Sequence, residues 1–135
     1  MLDIAKDQGE MRKKLEGGEI VILNRYVYST IAYQCSKGIH FEDGVEMIES
    51  MNLLKPDLVV LLDILPEVSM ERKSRQKKMD RHEEDAKLLR KVRENYLKLC
   101  EMKFLADKWV KVDADGKPGD VFEIVKGFIV QTLKE

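Results

Sequence analysis

Residues 58–62 read LVVLL, a nearly continuous apolar run between Asp57 and Asp63. A second run, IVIL, occupies residues 20–23, and a third, WVKV, occupies residues 109–112. Short and almost unbroken apolar runs are typical of parallel strands that are covered on both faces of a sheet. The sequence therefore predicts three short strands that form the centre of the fold.

The segments between these runs carry helical periodicity. Apolar residues recur at steps of three and four over residues 89–99 and 121–129, and a further helix is predicted over residues 41–51. Pro66 follows the second run at a position that suits the first turn of another helix. Strands that alternate with helices predict an α/β fold, a parallel sheet flanked by helices, in a single domain over residues 1–135.

The composition is that of an ordinary globular chain of 135 residues, with 44% hydrophobic and 36% charged residues. A net charge of −1 argues against nucleic-acid binding. No apolar run approaches the roughly 20 residues that a membrane-spanning helix needs, and the charged amino-terminal stretch lacks a signal-peptide core. Two separated cysteines, Cys35 and Cys100, are typical of a reducing compartment. We therefore expect a cytoplasmic protein without a membrane partner.

Polar residues follow each of the three apolar runs. They are Asn24 and Arg25, then Asp63, then the residues 113–116, which read DADG. In open parallel sheets ligands bind beyond the carboxyl ends of the strands, so these positions form a candidate site. The guanidinium fork of Arg25 is suited to a phosphate. A structural ion pair of Arg25 with an acidic neighbour is an equally good interpretation of the residues alone.

A cationic segment occupies residues 71–82, with six Lys and Arg residues against two acidic ones. Such a cluster in a nearly neutral chain is a candidate clamp for a polyanion. The alternative is a solvated helix face with salt bridges to the acidic residues 83–85. The lack of apolar periodicity between Lys73 and Arg81 favours a loop or lid over a packed helix.

Four segments, in order, resemble the thymidylate kinases. They are NRYVYSTIAYQ (24–34), LKPDLVVLLDILPEVSMERK (54–73), RKSRQKKMDRHEEDAKLLRKVRENYLKL (72–99) and WVKVDADGKPGDVFEIV (109–125). These are similar to the family's Asp-Arg-Tyr/His segment, its following strand and helix, its arginine-bearing lid, and its last strand with the adenine-side loop and terminal helix. The resemblance implies the carboxyl-terminal portion of a P-loop NTPase-type nucleotide kinase fold.

The resemblance also implies an activity, the transfer of the γ-phosphate of ATP to dTMP, giving dTDP and ADP. The acceptor segment, residues 20–35, would bind dTMP. Arg25 would hold its phosphate, and the nucleoside pocket would be lined by Ser29, Thr30, Tyr33 and Gln34. Tyr33 would pack beside the deoxyribose, although without the family Tyr26 and Tyr33 fit equally well as core residues.

On the donor side, the resemblance implies three catalytic arginines in a lid at residues 72–83. Arg72 would lie against the adenine or the phosphates of ATP, and Arg75 or Arg81 would reach the transferring phosphoryl group. Arginines on a closing lid bring positive charge to the phosphoryl oxygens and exclude water. An adenine-side loop, residues 113–118, would border ATP through Gly116 and Lys117. Mg²⁺ would accompany ATP.

Two features depart from the family pattern. Asn24 stands where the family usually has an aspartate associated with the magnesium–phosphate network, so metal coupling should be weaker. The sequence also contains no G-x-x-x-x-G-K-[ST], the loop whose amides and lysine hold ATP phosphates. Its paired glycines, Gly17 and Gly18, suit the end of a helix instead.

The missing loop sets the expectations for the whole enzyme. The family's first strand lies between the predicted strands at residues 20–23 and 58–62. Without it, those strands pair directly, or another chain fills the gap, or the sequence is a fragment of a longer kinase, which is our expectation. We expect the 135-residue chain to be inactive alone and to act as a homodimer or with a complementing amino-terminal segment. The alternatives are a non-catalytic nucleotide-binding remnant or partner subunit, or a related nucleoside or nucleotide kinase.

Overall fold

A computed structural model describes residues 7–65, 67–68, 71 and 82–135 of the chain. Its helices are α1 (Gln8–Glu16), α2 (Tyr28–Ser36), α3 (Phe41–Ser50), α4 (His82–Glu101) and α5 (Pro118–Lys134), and its strands are β1 (Val59–Asp63) and β2 (Trp109–Asp113). The chain forms two compact units that divide after Lys55. The predicted α/β class is confirmed. Within the described ranges, no helix combines the length and the apolar character needed to cross a membrane.

The second unit is built on a parallel pair of strands. β1 pairs with β2 in a register that sets Val59 opposite Trp109 and Asp63 opposite Asp113. Two parallel strands need a long connection between them, and the connection from β1 to β2 contains α4. Helix α4 packs on both strands, and α5 packs on β2. Because the strands are parallel and in register, Asp63 and Asp113 end at the same edge of the sheet.

The core of the second unit lies between α4 and β2. Helix α4 buries Val92, Asn95 and Leu99, which recur at helical spacing. Trp109 is buried at the start of β2, and its indole Nε1–H donates to the carbonyl oxygen of Phe104 at 2.9 Å. Burying the apolar side chains of Val92 and Leu99 contributes roughly 1.5–3 kcal/mol each relative to leaving them exposed.

β1 is less covered than its sequence predicts. Leu62 is 50% exposed, and no residue of β1 is fully buried among the residues that the structure describes. The expectation of a strand covered on both faces is therefore wrong for β1 in this structure. An unbroken apolar run indicates a strand, but its burial depends on what packs against it.

The first unit is held together by α2 and α3. Ile31 of α2 and Ile48 of α3 are fully buried. At Gly44 the helices approach so closely that a Cβ would lie 2.9 Å from the Sγ of Cys35. Glycine therefore sets the distance between these helices.

The predicted strand at residues 20–23 is wrong. These residues adopt no strand, and the side chains of Ile20, Ile22 and Leu23 are 62%, 76% and 45% exposed. A strand requires a partner for its backbone donors and acceptors, and β1 pairs with β2 instead. The option that the runs at residues 20–23 and 58–62 pair directly is therefore also wrong within the described residues.

The paired glycines close α1, as predicted. Gly17 occupies the C-cap position, and its N–H donates to the carbonyl oxygen of Lys13 at 3.0 Å. Gly18 follows with a φ of 84°, in the left-handed region that favours glycine.

Candidate functional site

An open cleft of about 310 Å³ lies in the first unit, beside the start of α2. Its walls include the predicted acceptor-site residues Asn24, Arg25, Ser29 and Thr30. Asp7, which precedes α1, lies on the same cleft and was not anticipated from the sequence. These four residues, which the family resemblance assigns to the acceptor side, thus lie on one surface. Gln34, also assigned to the pocket, lies exposed on α2 and does not line this cleft.

The backbone turns sharply where the cleft begins. Arg25 and Tyr26 have φ values of 73° and 39°, in the left-handed region that costs free energy for residues with a Cβ. The buried residue Val27 follows as the N-cap of α2. Strained backbone of this kind persists only where the surroundings impose it, and it is concentrated at functional sites.

The side chain of Arg25 is exposed to the cleft. The Cζ of its guanidinium lies 5.8 Å from the centroid of the Tyr33 ring, a cation–π contact. Tyr33 does not line the cleft, but it contacts Arg25, which does. Within the part of the chain that the structure describes, no carboxylate forms an ion pair with Arg25. The alternative of a structural ion pair has no support there, and a guanidinium on the wall of a cleft can donate its N–H groups to an anion.

Tyr26, which also lines the cleft, forms a closed set of hydrogen bonds with Gln8 and Leu54, called here the Tyr26 hub. The Tyr26 hydroxyl accepts from Gln8 Nε2 at 2.9 Å and donates to the carbonyl oxygen of Leu54 at 3.0 Å. The backbone N–H of Leu54 donates to Gln8 Oε1 at 2.6 Å. Sequence reasoning missed Gln8, because its partners are 18 and 46 residues away and no local pattern links them.

At the end of the strand pair, Asp63 is engaged in an ion pair. Arg93 of α4 donates to both of its carboxylate oxygens, with Nε at 2.7 Å from Oδ1 and Nη2 at 3.0 Å from Oδ2. The hydrogen bonds with Asp63 are the main cause of a raised pKa for Arg93. Asp63 therefore ties α4 to β1.

The loop after β2 is held in place by hydrogen bonds. The Leu65 N–H donates to Asp115 Oδ1 at 3.1 Å, and the Asp115 N–H donates to Asp113 Oδ1 at 2.9 Å. Gly116 and Lys117 follow as exposed residues, with Lys117 at the N-cap of α5. The predicted adenine-side residues thus lie at the carboxyl end of β2. Arg72, Arg75 and Arg81 lie outside the described residues.

We expect Asp63→Asn to lower the free energy of unfolding by about 1–3 kcal/mol, because a charge-assisted bidentate contact with Arg93 is lost. Asp57→Asn, at an exposed position just before β1, is the matched control and should change it little. Urea unfolding of both variants measures the difference. A cost no larger for Asp63→Asn than for the control would show that the ion pair does not stabilise the fold.

Comparisons of the amino-acid sequence with known proteins give the family of the chain. The sequence profile of the family described as "Thymidylate kinase" matches residues 4–124. The chain is 41% identical over 92 residues to the "Probable thymidylate kinase" of Thermococcus kodakarensis, covering 68% of this chain and 44% of the relative. It is 34% identical over 143 residues to the "Thymidylate kinase" of Caldicellulosiruptor saccharolyticus, covering 98% of this chain and 66% of the relative.

A further relative is the "Thymidylate kinase" of a Sulfurihydrogenibium species, 38% identical over 136 residues, with 95% of this chain and 60% of the relative covered. The chain spans about half the length of the first curated relatives that it matches. The profile match nevertheless extends over most of its residues. The chain therefore belongs to the thymidylate kinase family.

Proposed function

We propose that the chain forms the acceptor side and part of the donor side of a kinase that transfers the γ-phosphate of ATP to dTMP, giving dTDP and ADP. The observation that carries the proposal is Arg25, which lines the cleft in a strained conformation and has no ion-pair partner among the described residues. The family of the chain supports dTMP and ATP as the substrates, because the curated relatives are named thymidylate kinases. The same proposal assigns the enzyme to the cytoplasm.

On the acceptor side, the Arg25 guanidinium binds the dTMP phosphate through paired N–H donors. The cation–π contact with Tyr33 limits the orientations of the guanidinium and so lowers the free-energy cost of ordering it. The hydroxyls of Ser29 and Thr30 lie on the same cleft and supply hydrogen bonds to the nucleoside. Gln34 does not line the cleft, so it can contact the base only if bound dTMP extends past the cleft wall.

On the donor side, the proposal assigns the border of adenine to Gly116 and Lys117. A Cβ added at Gly116 would meet no atom within 4 Å, so its surface is open to a flat ring. The catalytic roles remain assigned to Arg72, Arg75 and Arg81. Phosphoryl transfer needs positive charge and in-line positioning more than covalent catalysis, and arginines supply both.

Mg²⁺ is the proposed cofactor. When bound with ATP it neutralises charge on the phosphates. Asn24 and Asp7 both lie on the cleft and present oxygen donors of the kind that Mg²⁺ prefers. Among the residues with described positions, no three His, Cys, Asp or Glu side chains cluster to hold a metal. The residues therefore fit an ion held largely by substrate phosphates, as is usual for Mg²⁺.

A second candidate is a chain that binds nucleotide without transferring phosphate, as a remnant or a partner subunit. For a polypeptide of these 135 residues alone, it is favoured by the absence of G-x-x-x-x-G-K-[ST]. A nucleotide kinase for another base is the remaining alternative.

Calorimetric titration with dTMP, dCMP and dGMP tests the proposal: tighter binding of dTMP supports it, and no preference for dTMP would contradict it. A homodimer or a complementing amino-terminal segment is the proposed assembly.

Asn24→Asp is expected to raise turnover and sharpen its dependence on magnesium, because it restores a carboxylate on the cleft wall. The measurement is a magnesium titration of the active mixture, in which the chain is combined with a phosphate-loop segment. Asn24→Ala, which removes the side-chain oxygen, is the control and should be the slowest of the three forms. An aspartate form no faster than the parent at any magnesium level would exclude Asn24 from the metal network.

A further inference from the structure

We propose that the Tyr26 hub holds Arg25 in the conformation that binds the phosphate of a nucleoside monophosphate, which makes Tyr26 and Gln8 positioning residues of the acceptor site. The inference rests on the proposed function of the cleft. Gln8 does not line the cleft and Tyr26 lines it beside Arg25, and in this proposal each acts on the phosphate through Arg25.

The first argument is the closure of the hub. Each of its three members is bonded to the other two, and both ends of the Gln8 amide are used. These bonds join residues 18, 28 and 46 positions apart, so they bring together the start of α1, the turn before α2 and the segment after α3. A ring of bonds between distant segments fixes the Tyr26 side chain more firmly than one bond would.

The second argument is the backbone that the hub must hold. Two consecutive non-glycine residues, Arg25 and Tyr26, have positive φ. Tyr26 is anchored at its hydroxyl by the hub, and its ring packs edge-on against Tyr28 with centroids 6.1 Å apart. Val27 and Tyr28, at the start of α2, are buried, so the residues that follow the turn are also held in place. Arg25 is adjacent to this anchored residue, so the hub fixes the backbone from which the Arg25 side chain extends, and the contact with Tyr33 limits where its guanidinium lies.

The hydroxyl of Tyr26 is the essential part of this device. Burial raises its pKa above the ordinary value of 10.0, with the Gln8 hydrogen bond opposing that shift, so the phenol stays protonated at neutral pH. A protonated phenol can donate to Leu54 and accept from Gln8 at once. Tyr26→Phe removes these bonds and keeps the ring contact with Tyr28, which separates positioning from packing.

The test compares Tyr26→Phe, Gln8→Met and the double variant by calorimetric titration of the 135-residue chain with dTMP and with thymidine. We expect each single change to raise the Kd for dTMP about tenfold, as the loss of hydrogen bonds to a well-placed group typically does. The Kd for thymidine, which has no phosphate, should not change. The Kd of the double variant for dTMP should be no higher than the higher of the two single-variant values, because both changes break the same hub.

Ser50→Ala is the matched control, since it also removes a hydroxyl in the same unit. The Ser50 hydroxyl donates to the carbonyl oxygen of Met47 at 2.6 Å on α3, outside the cleft wall. It should leave both affinities unchanged. An equal loss of dTMP and thymidine binding in Tyr26→Phe would overturn the positioning role, because it would indicate general damage to the cleft.

A second measurement needs no ligand. A positive φ brings Hα close to its own amide proton, so Arg25 and Tyr26 should show strong intraresidue Hα–HN nuclear Overhauser effects that weaken in Tyr26→Phe. Unchanged effects together with unchanged dTMP affinity would overturn the inference. If the parent chain binds no dTMP, the proposed function fails and the Overhauser effects alone decide whether the hub sets the turn. If Tyr26→Phe does not fold, Gln8→Met carries the test.

Discussion

Arg25→Ala is expected to raise the Kd for dTMP roughly 30- to 200-fold, which corresponds to about 2–3 kcal/mol. The guanidinium lies on the cleft wall with no carboxylate partner in the described part of the chain, so removing it deletes charge-assisted contacts with the phosphate. No ion pair is left broken inside the unit, and stability should change little. Titration calorimetry of the 135-residue chain with dTMP measures the effect.

The controls separate fork geometry from charge. Arg25→Lys keeps the charge but loses the planar fork and its stacking on Tyr33, so it should recover little of the affinity. Arg12→Ala removes the same charge from an exposed position on α1 that does not line the cleft, and it should have a small effect. An Arg25→Ala variant with the parent's affinity would contradict the assignment of the phosphate site.

A polypeptide of these 135 residues should produce no ADP in response to dTMP. No motif in the sequence supplies the cradle of amides and lysine that holds ATP phosphates in line. Adding a separately made segment with the family's phosphate loop should restore turnover. A coupled assay of ADP release, with dTMP present and absent, measures both parts of this prediction.

The exposed run at residues 20–23 gives this experiment a structural readout. Ile20 and Ile22 are more than half exposed, and the run forms no strand in the structure. If the added segment supplies the missing partner strand, the amides of residues 21–23 should become protected from hydrogen exchange. A segment whose phosphate-loop lysine is changed to alanine should still protect them without restoring turnover. Turnover by the pure polypeptide would overturn the prediction.

The amino-acid sequence by itself determined which class of fold this chain adopts. The run at residues 58–62 and the run at residues 109–112 became β1 and β2, and the periodic segments became α3, α4 and α5. Apolar runs and helical periodicity are local patterns, and they are readable because the side chains of one element face in directions set by its own geometry. The family could also be recognised, since its motifs are contiguous segments.

Only the tertiary structure decided how those elements are used. The run at residues 20–23 reads as a strand, yet it has no partner in the described chain, because pairing depends on segments elsewhere. The bond of Arg93 to Asp63 joins residues 30 positions apart, and those of the Tyr26 hub join residues up to 46 positions apart. The left-handed turn at Arg25 follows from that hub rather than from its own propensity. Such contacts depend on the path of the whole chain, so no local sequence pattern predicts them.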